Sequence, residues 1–305
     1  MKRIILHHDD ADGRAAAAIA GRDAEGRGYD NVIYLPASYG KPLPDLSDYN
    51  PDCDDDIWVV DFSYPMAEML QLIEMVGPQG LFWIDHHKTA IEDLAGLAER
   101  IGCELPGVRD VGYAGCVLTW AFCNPGEQTP LAIEYIGDRD IWAFRHGDMT
   151  RWFYETYINE VDTHPACGYW DRIISMPGTE LRIMCLDYGK PLYEARMRGL
   201  RFAAKYLGRE VIMYVGNNGD TRPVKALKIN HIQSGDLGQV IKDMGYDVAW
   251  CYVDRRVGKI IQRKNTLYSG ADDIDVSLYA SARGGGGHKG AAGFIESIGV
   301  EEPAS

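Results

Sequence analysis

His8, Asp10 and Asp12 alternate along one short segment near the amino terminus. In an extended chain every second side chain points to the same face, so one imidazole and two carboxylates would converge there. Burying two carboxylates together is costly unless a cation neutralises them, which favours a divalent metal site. A solvated acidic loop is the alternative, and this motif alone leaves the two interpretations evenly balanced.

Two more apolar segments end in residues of the same types. Asp61 follows Val59-Val60, and Asp85-His86-His87 follows Phe82-Trp83-Ile84. Three strand ends that all present Asp or His are a rarer coincidence than any single motif. Carboxylate and imidazole ligands without cysteine suit Mn²⁺ best, with Mg²⁺, Fe²⁺ or Co²⁺ as alternatives, whereas structural zinc more often recruits thiolates.

Two further segments are candidates for the same chemistry. Asp138 and Asp140 follow an apolar helical stretch, where each is either functional or a helix cap or an ion-pair partner of Arg139. The run 284–294 is rich in glycine and contains His288 and Lys289. Exposed backbone N–H groups beside cationic side chains form an anion cradle, so we favour phosphate binding over a flexible linker.

Alternating strands and helices must position these residues. Strands are predicted over 3–8, 32–35, 56–61 and 80–85, and helices over 12–23, 65–75 and 89–101. This order predicts an α/β fold with a parallel sheet, whose functional residues gather beyond the carboxyl ends of the strands. The aromatic-rich region 142–170 is interpreted mostly as core, with base stacking as the less favoured alternative.

The length of 305 residues indicates two domains. A domain over 1–180 carries the strand-end motifs, a connecting helix covers 181–209, and a smaller α/β domain covers 210–305. In the smaller domain, strands are predicted over 211–215, 224–229, 248–252 and 259–262, with a helix near 237–244. We expect the active site in the cleft between the two domains.

The formal net charge of −14 argues against binding to long duplex nucleic acid or to an anionic membrane. Residues 1–61 hold 13 Asp and Glu against 6 Lys and Arg, whereas residues 209–264 hold 10 basic against 6 acidic residues. Seven scattered cysteines without a CxxC pair are typical of reduced thiols. With no signal peptide or membrane span apparent, they predict a cytoplasmic protein. The oligomeric state stays open, with a homodimer as one option.

With these motifs in order, the chain resembles the DHH/DHHA1 phosphoesterase superfamily, which includes RecJ-like exonucleases, nanoRNases and family II pyrophosphatases. The resemblance covers nearly the whole chain. The matching motifs, in order, are His8–Gly13, Val60-Asp61, Asp85-His86-His87, Ile136-Gly137-Asp138 and the glycine-rich stretch Asp275–Phe294. Each motif is weak by itself, but all five in order at sensible spacing are specific.

The resemblance implies a site for two divalent cations. One would be held by His8, Asp10 and Asp61, and the other by Asp12, Asp61, His86 and Asp138, with Asp61 bridging. Asp140 would only orient a ligand or Arg139. The residues expected to act directly in catalysis are Asp10, Asp61 and His87, with His87 facing the substrate phosphate. The residues expected to bind substrate are Gly285, Gly286, Gly287, His288, Lys289 and Arg263.

One departure from the superfamily pattern concerns the basic residue before the glycine motif. Relatives often have an arginine where this sequence has Tyr268. Arg263, Lys264 and Arg283 are the possible replacements, so the terminal group that the second domain would bind is left open.

The expected reaction is two-metal hydrolysis of a phosphoester in a short oligonucleotide or a small nucleotide, as in an exonuclease of the nanoRNase (oligoribonuclease) type. A cyclic dinucleotide or 3′-phosphoadenosine 5′-phosphate is the alternative substrate. Inorganic pyrophosphate is less favoured, and so is a non-catalytic nucleotide-binding module, since no expected metal ligand is missing.

Overall fold

The chain divides into two compact units, Met1–Tyr193 and Glu194–Ser305, in a computed structural model that describes residues 1–217, 220–231, 235–271 and 273–300. The division lies inside helix α10 (Lys190–Leu207), within the segment predicted to connect two domains.

The first unit begins with alternating strands and helices and continues as helices alone. Its elements are β1 (Lys2–His8), α1 (Ala11–Gly26), β2 (Asn31–Ala37), β3 (Asp56–Val60), α2 (Met66–Val76), β4 (Leu81–Ile84), α3 (Lys88–Asp93), α4 (Leu97–Ile101), α5 (Gly115–Cys123), α6 (Leu131–Asp140), α7 (Asp148–Ile158), α8 (Gly168–Ile174) and α9 (Gly178–Met184). A π-helical turn (Cys185–Gly189) then joins α9 to α10.

The four strands of the first unit form a wholly parallel sheet in the order β2-β1-β3-β4, which confirms the predicted fold class. Both faces of the sheet are covered, because alternate side chains of each strand enter different clusters. Ile5 packs into the cluster that contains α1, whereas Ile4 and Leu6 pack into the cluster that contains α2. This two-sided burial explains why the strands are almost continuously apolar.

Two segments differ from the sequence prediction in detail. The helix expected over 89–101 is two short helices, α3 and α4. The chain leaves the helical conformation between them, and Gly96 is the N-cap of α4. The region 125–180, which shows no clear pattern in the sequence, is helical from α6 to α9. Four of the eight aromatic side chains in 142–170 are buried, so the interpretation as core is confirmed for Phe153, Tyr157, Tyr169 and Trp170, whereas Trp142 is exposed.

The described part of the second unit contains most of α10, one mixed sheet and two short helices. Its other elements are β5 (Arg209–Asn217), β6 (Asp220–Asn230), α11 (Asp236–Asp243), β7 (Val248–Val257), β8 (Ile260–Ser269), α12 (Val276–Ser281), β9 (Gly286–His288) and β10 (Ala291–Val300). The strand order is β5-β6-β7-β8-β10-β9, in which only β6 and β7 are parallel. The smaller α/β unit expected from the sequence is therefore confirmed, with strands longer than predicted.

All seven cysteines lie in described segments, and none of them forms a disulfide. Within the described residues, the structure contains no helix that combines the length and the apolar character needed to cross a bilayer.

Arg3 of β1 anchors β3 and α1 from a buried position. Its side chain is 1% exposed and donates to both carboxylate oxygens of Asp56, to Asp23 at 2.7 Å and to the carbonyl oxygen of Ala20 at 2.9 Å. The guanidinium carbon also lies 4.2 Å from the ring centroid of Trp58. Every polar group of this arginine is therefore paired, which is the condition for a buried charge to be tolerated.

Replacing Arg3 should destabilise the first unit strongly. Arg3→Met leaves Asp56 buried without its cation, and we expect the free energy of unfolding to fall by about 3–5 kcal/mol. The matched control is Arg172→Met, which removes an exposed pair with Glu160 and should cost about 0–1 kcal/mol. Urea unfolding followed by circular dichroism measures both values, and equal losses would contradict the prediction.

Candidate metal centre

Three neighbouring strands deliver polar residues to one edge of the first sheet. β1 ends at His8, Asp61 follows β3, and Asp85-His86-His87 follow β4. Because β3 lies between β1 and β4 and all three are parallel, their carboxyl ends coincide. Asp61 is held there in a left-handed backbone conformation (φ 53°), with its N–H donating to the carbonyl oxygen of Ile84 at 2.9 Å.

The side chains at this edge form one cluster with Asp61 near its centre. An oxygen of Asp61 lies 3.1 Å from Nε2 of His86, and its other oxygen lies 3.8 Å from Nδ1 of His8. Nε2 of His86 also lies 3.7 Å from Asp12 and 3.4 Å from Asp140. One nitrogen therefore faces three carboxylates.

Ligand atoms within 4.8 Å of one another occur in three groups among the described residues. The groups are His8, Asp10 and Asp61; Asp12, His86 and Asp140; and Asp61, His86 and His87. Asp61 and His86 each belong to two groups, so the cluster is one continuous set of donors rather than separate sites.

Backbone N–H groups at two helix N-termini orient the carboxylates of Asp10 and Asp12. Asp10 caps α1 by accepting from the N–H of Gly13 at 2.9 Å, while its second oxygen lies 2.7 Å from His8. Asp12 accepts from the N–H groups of Gly115 and Cys116 at 2.6 and 2.8 Å, at the start of α5. Backbone N–H groups at helix N-termini are suitable donors to carboxylates, so both side chains are held in position in the cluster.

Glycine is needed at one of these helix starts because the backbone approaches a site residue closely. A Cβ atom at Gly115 would lie 2.6 Å from Cβ of Asp61 and 2.8 Å from its carboxylate. Any larger residue would therefore displace Asp61. The sequence analysis did not identify Gly115, since no local pattern marks a glycine that packs against a residue 54 positions away.

Asp85 fixes the orientation of His87. Asp85 is fully buried and accepts from Nδ1 of His87 at 2.7 Å, from the N–H of His86 at 2.7 Å and from the hydroxyl of Ser63. With Nδ1–H bound to Asp85, Nε2 of His87 is the nitrogen left for a substrate or a cation. A carboxylate behind an imidazole is a common way to set its tautomer and the orientation of its ring.

The centre of the cluster is strongly deficient in positive charge. Asp61 is 1% exposed, and neither of its carboxylate oxygens has a hydrogen-bond partner among the described residues. Burial and the charges of Asp12 and Asp10 raise the pKa of Asp61 well above its ordinary value. Burial and the same two neighbours also raise the pKa of Asp140.

At the edge of the cluster, the contact between His8 and Asp10 raises the pKa of His8 and lowers the pKa of Asp10. Burial alone would lower the pKa of His8 and raise that of Asp10, but the close contact between them reverses both effects. The pKa of His86 is lowered, because burial outweighs the carboxylates around it. A neutral His86 keeps a lone pair on its ring, as a metal ligand requires.

This donor set fits divalent cations. Four carboxylates and two or three imidazoles without a thiolate are typical of Mn²⁺ and related metals rather than of structural zinc. The two oxygens of Asp61, which have no hydrogen-bond partner among the described residues, are the strongest indication of a metal site. A buried carboxylate without a donor destabilises the fold unless a cation binds it.

Asp138 is not part of the cluster, and here the structure differs from the sequence prediction. Its carboxylate accepts from the backbone N–H groups of Arg145 and His146 at 2.7 and 3.2 Å and from the hydroxyl of Thr150. The pKa of Asp138 is lowered because these donors outweigh the effect of burial. Asp138 therefore closes the turn between α6 and α7. Asp140, which was expected only to orient other groups, supplies the carboxylate near His86 instead.

The residues predicted to bind substrate lie in the second unit. Gly286 and Gly287 belong to β9, which pairs with β10, and Gly285 packs so closely on the carbonyl of Gly293 that it has no room for a side chain. The glycine run is therefore an ordered sheet edge. Lys289 is exposed, whereas the side chain of His288 lies outside the described residues.

Arg263 and Tyr268 lie on β8 of the same sheet. Arg263 makes a two-point ion pair with Asp254 at 2.6 and 2.8 Å, and Tyr268 pairs with Ala291 of β10. The guanidinium of Arg263 is thus partly engaged within its own unit. The role of these residues in binding a phosphate stays a prediction.

Comparison with known proteins shows the fold. No family model matches the chain. An uncharacterized protein of Acanthamoeba polyphaga mimivirus is 22% identical over 275 residues, which cover 87% of this chain and 59% of that protein. The chain thus spans about three fifths of the length of this curated relative.

Two solved structures align over almost the whole chain. The DHH domain of a member of a ribosomal-protein family aligns with a TM-score of 0.56 and 14% identity, covering 97% of this chain and 83% of that one. The pGpG-specific phosphodiesterase of Vibrio cholerae aligns with a TM-score of 0.52 and 11% identity, covering 98% and 94%. The chain therefore has the fold of the DHH-domain proteins, the superfamily that its motifs resemble.

Asp61→Asn should separate stability from metal binding. The raised pKa of Asp61 means that its charge penalises the metal-free fold once the pH rises through that pKa, and the penalty vanishes in acid. In EDTA near neutral pH, we expect Asp61→Asn to unfold at a higher temperature than the wild type, by about 2–4 °C for each kcal/mol of repulsion removed. Addition of Mn²⁺ should raise the Tm of the wild type only. An equal Mn²⁺-induced shift in both proteins would contradict the proposed role of Asp61.

The two aspartates of α6 should respond differently to the same substitution. Asp140→Asn should weaken Mn²⁺ binding by about tenfold or more with little loss of stability. Asp138→Asn should bind Mn²⁺ normally but lose about 1–3 kcal/mol of unfolding free energy, because its donors are left poorly paired. Calorimetric titration with Mn²⁺ and urea unfolding measure the two effects, and a reversed pattern would restore Asp138 as the ligand.

Proposed function

We propose that the chain is a metal-dependent phosphoesterase that hydrolyses short oligonucleotides or small nucleotide phosphates. The observation that carries the proposal is the buried carboxylate of Asp61, whose unpartnered oxygens belong to two groups of potential ligands. The likeness to the pGpG-specific phosphodiesterase supports the substrate class, since that protein is named for a dinucleotide.

Two groups of donors in the cluster would hold the two cations that this chemistry needs. His8, Asp10 and Asp61 would hold one cation, and the second would be held by Asp12, Asp61, His86 and Asp140. When bound, the two cations would supply Lewis acidity toward the phosphoester and toward the attacking water. Mn²⁺ is the metal that the donor set favours, with Mg²⁺, Fe²⁺ or Co²⁺ as alternatives.

The remaining residues would handle charge and orientation. Asp85 accepts from Nδ1 of His87 and so orients the ring, whose Nε2 is proposed to face a phosphate oxygen. Asp10 and Asp12 are held in place by backbone N–H groups at helix N-termini. Gly285, Gly286, Gly287, His288, Lys289 and Arg263 are proposed to bind the far side of the substrate.

Several carboxylates close together would repel an anionic substrate in the metal-free protein. Two divalent cations would cancel about four negative charges, from Asp10, Asp12, Asp61 and Asp140, so the loaded site no longer repels phosphate. We therefore expect activity to depend strictly on the metal. Short substrates are favoured because the net charge of −14 disfavours a protein that holds many phosphates at once.

An activity panel with Mn²⁺ tests this function. The substrates are RNA and DNA of two to about twenty nucleotides, a cyclic dinucleotide, 3′-phosphoadenosine 5′-phosphate and pyrophosphate. We expect the highest kcat/KM on the shortest oligomers, no turnover in EDTA, and a loss of about 10³-fold or more in Asp61→Asn.

The matched control is Asp48→Asn, which removes the same charge from an exposed position outside the cluster and should leave the activity unchanged. Equal rates on oligomers of all lengths would contradict the short-substrate proposal. Highest activity on pyrophosphate would overturn the proposal that the substrate is a nucleotide. Turnover in EDTA would overturn the proposal that the reaction depends on a metal.

A further inference from the structure

A cavity of about 570 Å³ opens in the first unit beside the metal cluster. Three aromatic residues, Tyr39, Phe62 and Tyr64, line it together with the charged residues Lys41, Glu68 and Asp93. We call it the aromatic pocket. It lies next to the cluster because Phe62 and Tyr64 follow Asp61 directly in the chain.

Tyr39 connects the aromatic pocket to the cluster. Its ring centroid lies 5.8 Å from that of His8 and 5.6 Å from that of His87, with edge-to-face geometry in both pairs. The separation between Tyr39 and Phe62 is 4.5 Å. Three rings therefore fix the orientation of Tyr39, and two of them belong to the proposed catalytic site.

Despite these contacts, half of the surface of Tyr39 is exposed. The exposed fraction is 50%, whereas Phe62 and Tyr64 are 2% and 3% exposed. Tyr39 therefore offers exposed aromatic surface at the wall of the cavity, whereas its two neighbours are almost completely covered. The same ring contacts His8 and His87, so this surface lies next to the metal cluster.

A second cavity beside the same strand end is less suited to an aromatic ligand. It has a volume of about 600 Å³ and is lined mainly by polar and charged groups, among them Asp9, Arg14 and Asp162. Arg14 already donates to Asp9 at 2.9 Å and to Thr163 at 2.6 Å. The guanidinium of Arg14 is thus engaged within the protein. The wall of this second cavity offers no exposed aromatic ring comparable to Tyr39.

We propose that the aromatic pocket binds the base of the nucleotide whose phosphate lies at the metal cluster, with Tyr39 stacking on that base. The inference rests on the proposed function and adds a residue that determines substrate preference. Stacking on an aromatic side chain tolerates every base, because each base has a π-face. The ligand is therefore a nucleotide in general rather than one particular base.

Matched substrates test this proposal. A dinucleotide is compared with two abasic analogues. Each analogue lacks one of the two bases and carries a tetrahydrofuran unit at that position. Wild-type protein should prefer the intact dinucleotide over one of the two analogues by about 5- to 150-fold in kcat/KM, as expected for one stacked base. Tyr39→Ala should lose this preference but keep the wild-type rate on that analogue within about twofold.

Tyr39→Phe is the conservative variant and should retain the preference, because it keeps the ring. The control is Tyr188→Ala, which removes a tyrosine that is 68% exposed on the π-helical turn and should behave as the wild type. If Tyr39→Ala lowers the rates on all substrates equally, Tyr39 only supports the histidines and the proposal is wrong.

A binding experiment separates this proposal from the proposed function. In the presence of Mn²⁺, the wild type should bind adenosine 5′-monophosphate about 5- to 150-fold more tightly than ribose 5-phosphate, and Tyr39→Ala should bind both alike. Base-dependent binding without hydrolysis of any substrate would refute the phosphoesterase and retain the pocket. Hydrolysis with no effect of Tyr39→Ala in either assay would refute the pocket and retain the phosphoesterase.

Discussion

One buried carboxylate, that of Asp61, sets the requirements for the rest of the first unit. The fold removes it from water, gives its oxygens no donor and surrounds it with other acids. Its backbone is also held in a left-handed conformation, which few non-glycine residues adopt. Unfavourable burial and an unusual backbone at one residue indicate a position kept for chemistry, because neither contributes to the stability of the fold.

The sheet order explains why Asp61 can have this central role. β3 lies between β1 and β4, so a residue that follows β3 has His8 on one side and His86 on the other. In an edge strand the same aspartate would have a neighbour on one side only. The parallel arrangement is equally necessary, because it brings all three carboxyl ends to the same edge. Strand order therefore determines which carboxylate is shared.

Much of this arrangement could be predicted from local patterns. The apolar runs before Asp61 and Asp85 predict buried strands, and their polar ends predict a common edge. The choice between Asp138 and Asp140 could not be predicted in the same way. Residues two apart on a helix point in different directions, and which one faces the site depends on how α6 packs. The backbone N–H groups of the turn after α6 bind Asp138, and this tertiary arrangement leaves no mark in the sequence. The close approach of Gly115 to Asp61 is equally non-local.

The acids of the cluster fall into two kinds, and the difference bears on how a cation would enter. Asp10 and Asp12 accept hydrogen bonds from backbone N–H groups at helix N-termini, so the protein already holds their carboxylates in place. Asp61 has no such donor among the described residues, and burial together with the nearby acids raises the pKa values of Asp61 and Asp140. A divalent cation that binds between the two kinds would supply the positive charge that the second kind lacks. The protein thus fixes the position of the outer ligands in advance, whereas the central ones depend on the metal to compensate their charge.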